Sequence, residues 1–170
     1  MRRRRLIALV VAAILLGLPA SLIWYESLHS MRTAASFDVG TPSSPQHVLI
    51  ATQGSLFKDA LVKAIIQHLH SRPVYIKVID VSALPTVKDT DWTAIVVIQS
   101  WENWKPEPHA QAFLERIQDR KRIIDVTTSG SGGAGIPGFD VISTASVVRD
   151  LPTPLAAVTR RVDALLESVR

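Results

Sequence analysis

The sequence predicts an α/β domain built on a parallel β-sheet and preceded by one membrane-spanning helix. Three observations carry this. Residues 94–98 (AIVVI) and, more briefly, residues 48–50 (VLI) form continuous apolar runs of the length and β-branched content of strands buried on both faces. Between and after such runs, apolar residues recur at the 3.6-residue spacing of helices. Near the N-terminus, residues 6–25 (LIALVVAAILLGLPASLIWY) carry no charge. As a helix rising 1.5 Å per residue, they span about 30 Å of hydrocarbon.

The elements follow in order. Four arginines, Arg2 to Arg5, precede the apolar run, an asymmetry that keeps the N-terminus in the cytoplasm and sends the remainder outside it. Trp24 and Tyr25 fall where an interfacial aromatic belt lies. The rival reading is a cleaved signal peptide. Ala20 is acceptable at −1 but Leu18 is too large at −3, which favours a retained anchor. Residues 1–25 are therefore expected to be a cytoplasmic Arg cluster and a single-pass inner-membrane anchor. Residues 26–46, with Ser, Thr, Gly and two prolines, read as a flexible linker. Residues 47–170 read as the folded, periplasmic domain.

Within that domain, residues 47–51 form the first strand. Leu56, Ala60, Leu61, Ala64, Ile65 and Leu69 trace a helix ending near His70. Residues 73–79 (PVYIKVI) and 94–98 are strands. Residues 106–119 are helical, with proline in the first turn and Ala112, Phe113 and Ile117 on one face. Residues 122–126 and 139–142 are two more strands. A last helix carries Leu155, Val158, Val162, Leu165, Leu166 and Val169. Alternating strands and helices imply crossover connections and a parallel sheet. Residues 80–92 and the Gly-rich 127–138 are too short or too flexible for full crossover helices.

Charge and composition exclude several functions. Lys and Arg number 19 against 15 Asp and Glu, but residues 47–170 hold 14 basic and 13 acidic side chains. The basic excess belongs to the leader, so nucleic acid is not the expected partner. There is no cysteine, which removes disulfides and thiolate chemistry. His68 and His70 point to different faces of a helix, and no metal site is expected. No nucleophile elbow opens a Ser-His-Asp triad, and the sequence displays no nucleophile–base pair.

Ligands of parallel sheets sit beyond the carboxyl ends of the strands. After the first strand come Thr52, Gln53, Gly54 and Ser55, a turn suited to an anion at a helix N-terminus. Equally, Ser55 is a favoured helix cap. After the third strand come Ser100, Trp101 and Trp104; the indoles either stack on a planar ligand or cover the sheet end. After the fourth come Thr128, Ser129 and Gly130, opening a Gly-rich loop. Gly130, Gly132 and Gly135 match G-x-G-x-x-G, but the loop does not open a helix, so the match is not a dinucleotide fingerprint.

Taken in succession, several stretches resemble the flavodoxin family: residues 48–55, 78–85 (VIDVSALP), 91–100 (DWTAIVVIQS), 113–116 (FLER) and 127–130 (TTSG). The resemblance covers most of residues 47–170. It implies a doubly wound five-stranded parallel sheet of order 2-1-3-4-5 and a noncovalently bound FMN engaged in electron transfer with a membrane redox partner. Carried over, Thr52, Gln53, Gly54 and Ser55 meet the phosphate. Ser100, Trp101 and Trp104 flank the ring, with Thr128, Ser129 and Gly130 on its other side. The phosphate turn departs from the family's, which carries three hydroxyls; Ala51, Gln53 and Leu56 stand in comparable places here. That departure favours the alternative, a flavin-free accessory or interaction module of a membrane complex, whereas the two loop tryptophans and the Thr-Thr-Ser-Gly turn favour FMN, which stays the leading expectation. Residues 140–146 (DVISTAS) also resemble exported domains that attach FMN covalently, with Ser146 as the acceptor.

Overall fold

The apolar runs 48–50 and 94–98 are strands in the computed structural model, which describes Gly17 and residues 31–168 apart from 103, 131, 134 and 137. The expected cytoplasmic arginines and membrane-spanning helix fall outside the described residues. Among the described residues, no helix is long and apolar enough to cross a membrane.

The strands are β1 (Phe37–Val39), β2 (Gln46–Thr52), β3 (Val74–Asp80), β4 (Ala94–Glu102), β5 (Lys105–Pro106), β6 (Ile123–Thr128) and β7 (Val141–Thr144). The α-helices are α1 (Leu56–Leu69), α2 (Pro108–Arg116) and α3 (Pro152–Glu167). Five parallel strands lie side by side as β3-β2-β4-β6-β7, which is second, first, third, fourth and fifth along the chain. The expected order holds for these five. The sheet itself is wider and mixed: β1 adds antiparallel to β3, and β5 pairs back antiparallel on β4.

The apolar alternation of each strand feeds two cores. Val48, Ile50, Val96, Ile98 and Val126 meet Leu61, Ile65 and Leu69 of α1 and Val158, Val162 and Leu166 of α3 on one face. Leu49, Ile95 and Val97 meet Ala110, Phe113 and Leu114 of α2 on the other, where Leu84 and Ile136 complete the cover. Residues 80–92 form only two short 3-10 turns, Val81–Thr86 and Asp89–Asp91.

Three expectations are corrected. The stretch 26–46 is not a free linker throughout, because the compact unit begins at Arg32. Within it β1 joins the sheet, and the Thr41 carbonyl accepts from the Ser44 N–H (2.9 Å) in the turn that leads into β2. Gly40 makes that turn, with φ +84 and no room for a Cβ beside the Val74 carbonyl. The inward stripe of α1 is shifted by one residue: Leu56 is exposed, while Phe57 and Lys58 are buried. In α2, Ala112 faces solvent; Ala110, Phe113 and Leu114 face in.

Candidate functional site

The order β3-β2-β4 makes the carboxyl ends of β2 and β4 the place where the sheet's winding reverses. The chain leaves β2 into α1 on one face and passes from β4 by way of α2 on the other. Six of the ten residues singled out from sequence gather here: the turn 52–55, Ser100 and Thr128.

Much of the turn after β2 is engaged within the chain. Thr52 is buried and its hydroxyl donates to the Gln53 carbonyl (3.1 Å). Gly54 forms a two-way bridge with Arg32: the Arg32 N–H donates to the Gly54 carbonyl (3.0 Å), and the Gly54 N–H donates to the Arg32 carbonyl. Ser55 is the helix cap, its Oγ accepting from the Lys58 N–H (3.2 Å). The strap bearing Arg32 is pinned again two residues on, where the Ala34 N–H donates to Asp80 Oδ2 (2.7 Å). Partial burial opposes it, but the hydrogen bonds from Ser82 and Ala34 hold the Asp80 carboxyl below its ordinary range.

Gln53 turns its amide oxygen inward, across the gap to β4. Its Oε1 accepts from the Ser100 N–H (2.9 Å) and from Lys58 Nζ (3.3 Å). Lys58 Nζ also donates to Ser100 Oγ. Ser100 Oγ lies 3.4 Å from Thr128 Oγ1, whose proton goes to the Gln99 carbonyl (3.2 Å). Register explains the grouping, since Ser100 and Thr128 are direct neighbours on β4 and β6 and share the α1 face. Lys58 was not among the sequence candidates. Its burial pushes the amine down to about 8, against the opposing pull of Glu102 and Asp59. The signal that finds it is the spacing 58-61-62-65-69, which puts the lysine in the buried row of the helix.

On the opposite face sits a second polar cluster, also unforeseen. Asp125 is buried beside Gln99 and Thr127, accepting from Gln99 Nε2 (3.0 Å) and from the Thr127 hydroxyl (3.5 Å). Burial pushes its carboxyl up to about 6, although both hydrogen bonds work the other way. Gln99 Oε1 is buried without a hydrogen-bond partner.

The remaining candidates are spread out. Trp101 is half-buried against the α2-side core, covering the sheet end as one of the two readings required. Trp104 is 92% exposed and holds φ at +63, a left-handed conformation unusual for a bulky residue. Ser129 donates its N–H to the Thr144 carbonyl (3.1 Å), and its Oγ accepts from the Gly132 N–H (3.0 Å). Gly130 is exposed. Ser146 is exposed beyond the end of β7.

These residues do not fit an FMN phosphate in the manner the resemblance implies. The Gly54 N–H is taken by the Arg32 carbonyl and the Thr52 hydroxyl proton by the Gln53 carbonyl, and Gln53 spends its side chain on Ser100 and Lys58, which leaves the Ser55 hydroxyl proton as the one side-chain donor of the turn still open to an anion. Of two sizeable cavities, the first lies away from the turn and the second reaches it at Thr52. One of about 440 Å³ is lined by Arg120, Lys121, Phe139 and Arg161; an apolar one of about 360 Å³ runs between β1 and α1. No protein-family model matches the sequence, and no curated protein matches it.

Proposed function

We propose that the chain is a flavodoxin-like module, tethered to the inner membrane by residues 6–25, that works outside the cytoplasm as a flavin-free accessory or interaction subunit. The observation that carries this reading is the bridge between Arg32 and Gly54. An anion-binding turn depends on N–H groups that point at the ligand. Here the chain's own strap accepts the central one, and the Thr52 hydroxyl proton is spent on the Gln53 carbonyl.

FMN-dependent electron transfer is the second reading, favoured by Trp104. A large, exposed aromatic held at positive φ is a strained arrangement, and strain of this kind concentrates at functional positions. In that reading Trp104 and the loop beginning at Ser129 and Gly130 bracket a planar ring.

Flavin fluorescence separates the two. The full chain in detergent, titrated with FMN up to millimolar concentration, is expected to leave the flavin emission unquenched. Saturable quenching that weakens in Trp101→Ala or Trp104→Ala overturns the accessory reading in favour of the redox one.

A further inference from the structure

The strongest unexplained chemistry in the fold is the contact between Lys58 and Ser100. An amine and a hydroxyl are buried together at the winding reversal of the sheet, with Lys58 0% and Ser100 4% exposed. Gln53 Oε1 holds the amine from one side and the Ser100 main chain from the other, so both partners are fixed relative to each other. From the geometry we propose that Ser100 and Lys58 form a nucleophile–base pair that accepts the acyl group of small activated esters.

Three features of the pair support it. The first is directional hydrogen bonding. The Thr128 proton is committed to the Gln99 carbonyl, so in the ammonium state Lys58 donates to Ser100 Oγ and Ser100 donates to Thr128 Oγ1. When Lys58 is neutral, its lone pair takes the place of a proton on the same line, and the Ser100 hydroxyl turns to it. The second is the amine's acidity. With burial holding it near 8, about a tenth is neutral base at pH 7, where an ordinary lysine offers almost none. Glu102 at the end of β4 and Asp59 on α1 are charged groups that favour the ammonium, and β6 contributes the neutral Thr128 beside Ser100. The third is orientation: a nucleophile, a base bonded to it and a third group orienting the base are the recognised parts of an activated hydroxyl.

The chemistry balances within the pair and the ester. Ser100 Oγ bonds to the carbonyl carbon as its proton passes to Lys58 Nζ. The ester C–O bond breaks, and the departing alkoxide takes that proton. Water then adds to the acyl carbon, and the Ser100 oxygen leaves with a proton. Its slight exposure limits the site to small acyl donors.

The test uses the full chain in detergent with p-nitrophenyl acetate and a small fluorophosphonate, followed by intact mass and peptide mapping. The expected result is a single adduct on Ser100 whose rate of formation rises with pH through about 8. Ser100→Ala abolishes it, and Lys58→Met lowers its rate by about 10²-fold or more, the contribution of a general base. Gln53→Ala, which loosens the amine, lowers the rate less. Should either principal variant fail to fold, Ser100→Cys serves instead, alkylation by iodoacetamide following the same pH profile. Absence of any adduct between pH 6 and 10, an adduct on another residue, or labelling of Ser100 that ignores Lys58→Met overturns the assignment. None of these outcomes bears on FMN, whose binding is read separately.

Discussion

Lys58 and Asp125 are buried on opposite faces of one sheet, and each is pushed toward its neutral form. For Asp125 the native carboxyl titrates at about 6 against an ordinary 3.8. Between those values the folded state holds the extra proton, so stability falls as pH rises from about 4 to 6 and stays reduced above it. A displacement of that size costs on the order of 3 kcal/mol at neutral pH. Asp125→Asn keeps an acceptor for Gln99 without the charge. The variant is expected to match the wild type in denaturant midpoint at pH 3–3.5, below both values, and to exceed it at pH 7–8; equal midpoints across the range would count against a buried, charged Asp125. Asp125 is not legible as special from sequence, and Lys58 only through its place in the row 58-61-62-65-69. A lysine in the first turn of a helix reads as solvated, and an aspartate between Ile124 and Val126 reads as the outward position of a half-buried strand. Burial of both strand faces, a property of the assembled sheet, is what encloses them.

At the scale of elements, caps and breakers decide where the expected boundaries hold. The helix anticipated over residues 106–119 runs only from Pro108 to Arg116. Glu107 caps it, its carboxylate accepting the Ala110 N–H (2.6 Å), and Ile117 leaves the helix for extended backbone. The five parallel strands were readable because β-branched runs need no context. By contrast, β1 is three residues, FDV, with too little pattern to betray a strand; only its pairing with β3 makes it one. The strap that leads into β1 depends on a bare Cα at Gly54, where a Cβ would stand 2.9 Å from the Arg32 carbonyl oxygen. Gly54→Ala is expected to displace the strap, speeding amide exchange at Arg32 and Ala34. Two lost hydrogen bonds lower stability by about 1–2 kcal/mol. Unchanged exchange at those amides would mean the bridge is not closed in solution.

For the molecule as a whole, β1 is the cover of an edge. Without it, the seven-residue β3 presents a row of unpaired backbone groups, the usual template for strand-to-strand association. A chain beginning at residue 41 is therefore expected to form larger species with rising concentration than one beginning at residue 32, as read by light scattering. Identical behaviour of the two would remove that role from β1. The parallel sheet was legible from the alternation of strands and helices, and the strand order from the family resemblance; connection rules alone do not set that order. The closed turn was not, because it depends on a contact between Arg32 and Gly54 that no local pattern encodes.

Because the polypeptide that comes in from the N-terminus is stitched to Gly54 before it reaches β1, a pull arriving at Arg32 is felt first at the β2–α1 corner. Two hydrogen bonds, and no strand pairing, are first in line to bear it. Their opening would return the Gly54 N–H to the corner, so tension at Arg32 and the chemical openness of that corner are coupled through one bridge.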